Sequence, residues 1–190
     1  MTFMQDTLPK LIEEKGGIRL DVGCGRAKQS GWVGMDKRPI KEADIIHNLE
    51  VIPWPLPSDC AIQVLCSHVL EHIDPRNFLD VMNEIHRVTK HDGQVLISTP
   101  YAGSYGAYQD PTHTRPGYNE ASFHYLDPRP VNGSNTLYRI YEPEPYFIER
   151  CHFDTGGNIE VVMRVIKDRE LVKKILSGKL YKNRKAEVVK

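Results

Sequence analysis

The sequence lacks long hydrophobic runs, closely spaced cysteines and an excess of charge of either sign. No run of about 18 apolar residues occurs, so we expect no membrane span, and the N-terminal residues predict no signal peptide. The four cysteines form no C-x-x-C pair, which argues against a zinc finger and predicts a reducing compartment, the cytoplasm. The 25 basic and 25 acidic residues balance, and the net charge therefore favours neither a nucleic acid nor a membrane partner.

The composition is that of an ordinary globular protein. Of the 190 residues, 40% are hydrophobic and 26% are charged, which predicts one domain with a small appendage. Charge is concentrated at the end, because residues 167–190 hold nine basic and three acidic side chains, a net charge of +6. We therefore expect a domain over residues 1–166 and a basic helical tail over 167–190. Such a tail is typical of a solvated helix face, and its alternative role is contact with phosphate groups.

Short apolar segments separated by polar turns dominate the first third of the chain. They are rich in β-branched residues and predict buried strands of a parallel sheet. A short helix precedes them over residues 6–15, where apolar residues recur at helical spacing and Gly16-Gly17 follows as a stop. The four predicted strands are residues 18–22, 32–35, 43–47 and 61–66.

The next segments complete an alternating pattern. Residues 77–90 place apolar side chains on one helical face, which predicts a crossover helix ended by His91-Asp92-Gly93. A fifth strand follows at 94–98, and residues 146–153 and 159–166 predict an antiparallel hairpin. The expected fold class is therefore α/β, a doubly wound and mostly parallel sheet with a C-terminal antiparallel hairpin.

The strongest chemical signal is the turn Leu-Asp-Val-Gly-Cys-Gly at residues 20–25. Gly23 and Gly25 would let the backbone approach a ligand closely at the carboxyl end of the first strand. A dinucleotide-binding turn would carry a third glycine at the position of Lys28. Tight turns also use glycine for purely structural reasons, so the interpretation depends on the neighbouring strands.

A carboxylate ends the neighbouring strand. Asp36 follows Gly34-Met35 and would lie beside the glycine turn, where it could accept hydrogen bonds from both hydroxyls of a ribose. The alternative is a solvated loop acid. Only fifteen positions separate Asp21 from Asp36, so the first connection is predicted to be a turn rather than a full crossover helix.

Five segments, taken in order and spacing, resemble the class I S-adenosylmethionine-dependent methyltransferases. They are DVGCG at 21–25, GMD at 34–36, ADIIHNLE at 43–50, CSHVLEHI at 66–73 and EIHRVTKHDGQVLISTP at 84–100. The resemblance covers residues 18–100 and implies a Rossmann-like fold and methyl transfer from S-adenosylmethionine. Two positions depart from the common pattern: Asn48 stands where many relatives have aspartate, and His91-Asp92 stands where many have Pro-Gly.

The resemblance also implies which residues hold the cofactor. The glycine turn and its aspartate would line the methionine part of the cofactor. The acid at the end of the second strand would bind the ribose, and the segment after the third strand would lie near the adenine. Residues after the fourth strand would flank the amino-acid and methyl region. In that order the implied residues are Asp21, Gly23, Cys24 and Gly25, then Asp36, then Asn48 and Leu49, then Cys66, Ser67 and His68.

The segment His68-Val-Leu-Glu71-His72 permits a rival interpretation. Histidines at i and i+4 with a glutamate between them match the H-x-x-E-H pattern of a zinc-dependent hydrolase, if the segment is a helix. A third interpretation leaves Glu71 solvated and uses His72 only to cap or pack a helix. The methyltransferase resemblance accounts for the same residues without a metal.

A long segment rich in proline, glycine and aromatic residues follows the fifth strand. It spans about 100–133 and predicts a lid over the site. Its Asp110-Pro-Thr-His113 stretch resembles substrate-site elements of small, partly phage-encoded, methyltransferases. Asp110 and His113 are therefore our catalytic candidates, with His113 as a general base because histidine titrates near neutral pH. The alternative is that Asp110 caps a turn and His113 binds backbone.

The acceptor is less well defined by the sequence. Nucleic-acid amino-methyltransferases typically carry an Asx-Pro-Pro-aromatic motif after the fourth strand, where this chain has Cys-Ser-His-Val. No separate target-recognition domain is evident, and the expected acceptor is a small molecule methylated on oxygen or nitrogen. A cofactor-binding module without catalytic activity is a further alternative. The sequence predicts no oligomeric state.

Overall fold

The computed structural model describes residues 3–114, 117–130 and 134–178. Seven strands in this part of the chain form one mixed sheet. They are β1 (Ile18–Val22), β2 (Val33–Asp36), β3 (Ile45–Ile46), β4 (Ala61–Ser67), β5 (Thr89–Pro100), β6 (Tyr146–Phe153) and β7 (Asn158–Val165). The helices are α1 (Leu8–Lys15), α2 (Phe78–Val88), α3 (Tyr105–Gln109), α4 (Glu120–Phe123), α5 (Thr136–Tyr141) and α6 (Arg169–Leu176).

The strand order is β3-β2-β1-β4-β5-β7-β6. Strands β1 to β5 are parallel, whereas β7 is antiparallel to both β5 and β6. The predicted α/β class, the mostly parallel sheet and the C-terminal hairpin are confirmed. The chain builds the sheet outward in one direction from β1 and in the opposite direction from β4, so the switch point lies between these two strands. Ligands of open α/β sheets bind at such a point, beyond the carboxyl ends of the strands.

Two elements differ from the sequence prediction. Strand β3 contains only Ile45 and Ile46, and β5 begins at Thr89, directly after α2. His91-Asp92-Gly93 therefore does not end a helix. Instead these residues bulge from the ladder, because Thr89 pairs with Ala61 and the next pair of the register is Gln94 with Gln63. Local periodicity does not reveal such a bulge, since it depends on the neighbouring strand.

The first three connections of the sheet are loops. No helix occurs in residues 23–32, 37–44 or 47–60. The prediction that the first connection is a turn rather than a full helix is therefore confirmed, and the next two connections also lack a helix. Helix α2 makes the crossover from β4 to β5, and its apolar face is buried against the sheet. No helix in the described part of the chain has the length and apolar character needed to cross a membrane.

The loop of residues 47–60 is anchored by Trp54, whose side chain is 2% exposed. The indole Nε1 donates to the carbonyl of Leu49 at 2.8 Å, and the Trp54 backbone N–H donates to Glu84 Oε2 of α2 at 2.7 Å. Glu84 is also paired with Arg87, whose Nε lies 2.7 Å from Oε1. Burial alone would raise the pKa of Glu84, but the hydrogen bonds from Arg87 and Trp54 lower it. An ionised carboxylate thus joins the loop to α2.

We expect Glu84→Gln to destabilise the protein by about 2 kcal/mol, because it removes charge-assisted hydrogen bonds from a buried acceptor. Urea denaturation at neutral pH measures the effect. Glu13→Gln, an exposed glutamate of α1, is the matched control. Equal midpoints for the two variants would contradict this role. Since the pKa of Glu84 is lowered, its contribution is present above the ordinary glutamate pKa and is lost as the pH falls through the lowered value.

The predicted lid is partly helical. Between β5 and β6 it contains α3, α4 and a 3-10 turn at His124–Leu126, while residues 115–116 and 131–133 lie outside the described residues. Tyr118 is 1% exposed and its hydroxyl donates to the carbonyl of Leu70 at 3.0 Å. The segment is therefore attached to the residues that follow β4.

The basic tail begins with α6. Asp168 caps this helix by accepting from the Leu171 N–H at 2.9 Å, and Val172 packs with Tyr138 and Ile166 in a small apolar cluster. Residues 179–190 of the predicted tail lie outside the described residues.

Candidate functional site

A cavity of about 420 Å³ lies at the carboxyl ends of the parallel strands. Its volume falls within the range of small-molecule sites. It combines charged groups with an apolar wall, and parts of five connections contribute to it. The lining residues are Gly23, Asp36, Lys37, Arg38, His47, Asn48, Leu49, Glu50, His68, Val69, His72, Ile73 and Thr112.

Gly23 begins the turn after β1 and requires glycine for two reasons. Its φ is +65°, a backbone conformation that side chains with a Cβ rarely adopt. A Cβ at this position would lie 2.3 Å from Cγ2 of Val69, well inside van der Waals contact. The Gly23 N–H donates to the carbonyl of Met35 at 2.7 Å, so the turn is fixed against β2. The backbone of Gly23 thereby forms a wall of the cavity.

Asp36 is buried at the end of β2 and faces the same cavity. Its Oδ2 accepts from the Gly25 N–H at 2.9 Å, and its two oxygens accept from Nε and an NH2 group of Arg38, each at 3.0 Å. Burial alone would raise the pKa of Asp36, but the hydrogen bonds from Arg38 and Gly25 lower it to about 2. The cavity therefore contains a carboxylate that remains ionised at neutral pH and below.

The segments after β3 and β4 supply the apolar lining of the cavity. Leu49 is 6% exposed and packs in the core, while its carbonyl receives the indole N–H of Trp54. Asn48 lies beside it and accepts from the Glu50 N–H at 3.2 Å, which stabilises a turn. Together with Val69 and Ile73 across the cavity, Leu49 offers surfaces that can hold a flat apolar ring.

His68 and Glu71 form a pair directly after β4. His68 Nδ1 lies 3.2 Å from Glu71 Oε1, and Glu71 Oε2 accepts from the Thr99 hydroxyl at 3.0 Å. The hydrogen bond that His68 donates to Glu71 raises the pKa of His68. Burial alone would raise the pKa of Glu71, but the hydrogen bond from His68 lowers it. His68 is exposed to the cavity, whereas Glu71 is 1% exposed.

The predicted catalytic pair lies in the segment after α3. Asp110 Oδ1 accepts from the N–H of Thr112 at 2.8 Å and from its hydroxyl at 2.7 Å, as a turn cap does. His113 Nδ1 lies 3.1 Å from the carbonyl of Ala107, and its ring meets the ring of His72 with centroids 4.9 Å apart. Neither Asp110 nor His113 lines the main cavity, but Thr112 and His72 do.

The cavity contains half of the residues that the sequence assigned to a cofactor. Gly23, Asp36, Asn48, Leu49 and His68 line it. The other five lie beneath or beside it. Asp21 is buried and accepts from the Gln29 N–H at 3.3 Å, Gly25 supports Asp36, Cys24 faces the Glu42 carbonyl, Cys66 is 1% exposed in the core, and Ser67 ends β4.

The buried cysteines are poorly suited to reaction. All four cysteines are free thiols. Burial raises the pKa of Cys24 to about 11, and burial raises the pKa of Cys66 still further. Cys66 points into the core because side chains alternate along β4, which the sequence pattern could have indicated. Val69 and Thr112, by contrast, have no individual signal in the sequence.

The rival zinc interpretation required a helix that the structure does not contain. Only Leu70–His72 form a single 3-10 turn, and His68 precedes it with a φ of +54°. His68 and His72 therefore do not share a helical face, and His68 pairs with Glu71 instead. Glu71 is buried, which also contradicts the interpretation that leaves it solvated.

The sequence matches no protein-family model and no curated protein. Solved structures do resemble the fold. A SAM-dependent methyltransferase from Archaeoglobus fulgidus has a TM-score of 0.56 at 16% identity, over 85% of this chain and 94% of its own. The 1,6-didemethyltoxoflavin-N1-methyltransferase from Burkholderia thailandensis was solved with S-adenosylhomocysteine. It has a TM-score of 0.53 at 15% identity, over 86% of this chain and 78% of its own.

A third structure is a variant of the 16S rRNA (adenine(1408)-N(1))-methyltransferase from Catenulisporales acidiphilia. It has a TM-score of 0.55 at 15% identity, over 86% of this chain and 92% of its own. At such identities the likeness concerns the fold, and the names of the second and third proteins give different acceptors, a small molecule and ribosomal RNA. Strand order, cavity position and structural likeness agree: the chain has the fold of the class I S-adenosylmethionine-dependent methyltransferases.

Proposed function

We propose that this protein binds S-adenosylmethionine and transfers its methyl group to a small-molecule acceptor, on oxygen or nitrogen. The observation that carries the proposal is the ionised carboxylate of Asp36 beside the Gly23 turn, in a cavity of about 420 Å³ within a methyltransferase fold. The structural neighbours from Burkholderia and Catenulisporales are themselves methyltransferases, the former solved with S-adenosylhomocysteine.

The residues of the cavity fit the cofactor part by part. The carboxylate of Asp36 has about four lone-pair sites, and the Gly25 N–H together with the backbone and guanidinium of Arg38 occupies them. Asp36 can accept from ribose hydroxyls once the guanidinium of Arg38, whose side chain is 57% exposed, releases its two hydrogen bonds. Leu49 and Ile73 provide the apolar contacts that an adenine ring needs, with Asn48 as its polar neighbour. The backbone of Gly23 admits the amino-acid part closely, since no side chain intervenes.

S-adenosylmethionine supplies a methyl group on a sulfonium, which is an activated donor. The task of the chain is then to orient the acceptor and to exclude water. His68, held by Glu71, faces the cavity and can hold a proton at its other ring nitrogen. The segment after β5 covers this side of the cavity through Thr112.

A small acceptor is favoured by the charge distribution at the start of the tail. Lys167 pairs with Asp59, and Arg169 pairs with Glu144 at 2.5 Å. Lys173 pairs with Glu170 at 2.7 Å. Neutralised cations contribute little to phosphate binding, which depends on release of counterions by unpaired basic groups. We place the reaction in the cytoplasm, in keeping with four free thiols.

Titration calorimetry with S-adenosylhomocysteine tests the cofactor, and methyl-labelled S-adenosylmethionine tests the acceptor. We expect binding of one molecule per chain and label on members of a panel of small hydroxylated or amino compounds. Label on ribosomal RNA alone would reject the small acceptor. The absence of both binding heat and thermal stabilisation at saturating cofactor would reject the function.

We expect His113→Ala to lower kcat by about 100-fold, the typical scale for loss of a positioned acid–base group, with little change in cofactor affinity. The reason is that His113 contacts His72, which lines the cavity, but does not itself line it. Steady-state kinetics and calorimetry measure the two quantities. His152→Ala, an exposed histidine of β6, is the control. Equal kcat in both variants would assign His113 a structural role only.

A further inference from the structure

Three side chains that sequence analysis did not group together converge beside the cavity. Glu71 and His72 belong to the turn after β4, and His113 comes from the segment after α3. One ligand atom of each lies within 4.8 Å of those of the other two. Ligands on one tetrahedral zinc ion lie about 3.5 Å apart, so a contraction of about 1 Å would bring the three onto one cation.

In both imidazoles a hydrogen bond occupies Nδ1 and leaves the lone pair of Nε2 available to a metal ion. His113 Nδ1 lies 3.1 Å from the Ala107 carbonyl, which can only accept, so Nδ1 carries the proton and Nε2 the lone pair. The Thr112 hydroxyl donates to Asp110 at 2.7 Å and therefore accepts from His72 Nδ1, which lies 3.2 Å away. Metal-binding histidines are typically oriented in this way, by a bond from the second nitrogen.

Glu71 supplies the negative charge that a cation requires. Its Oε1 lies 3.2 Å from His68 Nδ1 and its Oε2 accepts from the Thr99 hydroxyl at 3.0 Å, so two side chains hold the carboxylate in place. Its own backbone N–H is a third donor to the carboxylate, which leaves about one of the four lone-pair sites available to a cation. A buried carboxylate is costly unless charge compensates it, and a bound cation would compensate it.

The two segments are already joined, so the cluster is preorganised. The Thr114 N–H donates to the Glu71 carbonyl at 2.8 Å, and the Thr114 hydroxyl lies 2.5 Å from the Ile73 carbonyl and 3.0 Å from that of Glu71. The rings of His72 and His113 meet edge to face, with an interplanar angle of 72°. Binding a cation would therefore require adjustment of side chains rather than of the backbone.

We propose that Glu71, His72 and His113 bind one divalent transition-metal ion such as zinc. Two imidazoles and one carboxylate suit zinc and its neighbours in the first row, whereas magnesium and calcium prefer oxygen ligands throughout. Three protein ligands leave a coordination position for a further donor. Because His72 and Thr112 line the cavity, that position can take an oxygen of the acceptor, a role that rests on the proposed function.

The test is a calorimetric titration of metal-free, tag-free protein with zinc chloride, with cobalt chloride as a spectroscopic probe of coordination. We expect one ion per chain. His72→Ala and His113→Ala should each weaken binding by more than about tenfold, and Thr112→Val, which removes the partner of His72 Nδ1, by about tenfold. His152→Ala should bind as the unchanged protein does.

Failure of the unchanged protein to bind one zinc ion, or equal affinity in all variants, would overturn the metal site. Thermal unfolding of the metal-free variants establishes that they fold, and His113→Gln replaces any alanine variant that does not, since its amide can still donate to Ala107 but is a far poorer metal ligand. S-adenosylhomocysteine is titrated into the same samples. Zinc binding without cofactor binding would reject the proposed function alone, and the converse would reject the metal site alone.

Discussion

Gly23→Val is expected to reduce the affinity for S-adenosylhomocysteine by about 100-fold or more, which corresponds to about 2.7 kcal/mol. The new side chain would collide with Val69, since even a Cβ would lie 2.3 Å from Cγ2. Val69 itself lines the cavity, so relief of the collision would displace it toward the cofactor. A β-branched residue at φ +65° adds a conformational cost of about 1–2 kcal/mol.

Calorimetry measures this effect, and two variants separate collision from backbone strain. Gly31→Ala introduces a side chain at φ +77° with no atom within 4 Å, so it should bind normally. Val69→Ala added to Gly23→Ala removes the collision partner and should restore part of the affinity that Gly23→Ala loses. Unchanged affinity in Gly23→Val would show that the cofactor does not bind at this turn.

Asp36→Asn is expected to weaken the same ligand by about 30- to 1000-fold, because about two charge-assisted hydrogen bonds to ribose hydroxyls become neutral ones. The chain provides a matched control. Asp74 forms the same i, i+2 pair, with Arg76 Nε at 3.0 Å, and has a pKa lowered to about 2 by the hydrogen bonds from Arg76, but it does not line the cavity. Asp74→Asn should therefore leave the affinity unchanged.

The pH dependence gives a second check on Asp36. Its pKa is lowered to about 2, so the carboxylate stays ionised and affinity should be constant between about pH 5 and pH 8 as far as this group is concerned. Weakening would begin only as the pH falls toward the lowered pKa. Equal affinities for Asp36→Asn and Asp74→Asn, measured by calorimetry at neutral pH, would refute the ribose assignment.

The parallel strands, the C-terminal hairpin and the glycine turn could be predicted because they depend on local patterns, whereas the order of the strands in the sheet could not. The glycine turn is encoded within residues 21–25, and the apolar strands end where polar residues begin. Parallel strands bring their carboxyl ends to one edge, so Gly23 and Asp36 meet for topological reasons. The bulge of β5 depends on pairing with β4, and a single sequence carries no information on it.

The approach of His72 and His113 could not be predicted for a different reason. Forty-one positions separate them, and their contact depends on how a proline-rich segment returns to the sheet. Hydrogen bonds from Thr114 and Tyr118 to the backbone after β4 determine that return. The spacing of H-x-x-E-H drew attention to His68 and His72, whereas the three-dimensional cluster replaces His68 with His113.

The loop-only connections between β1 and β4 have a consequence for hydrogen exchange. Helices normally shield both faces of a parallel sheet, but here the connections from β1 to β4 are loops, and Trp54 attaches the loop of residues 47–60 to α2. Exchange protection of the loop amides is thus expected to depend on one indole and one ion pair. We expect this loop, part of which lines the cavity, to open at a lower energetic cost than the central strands.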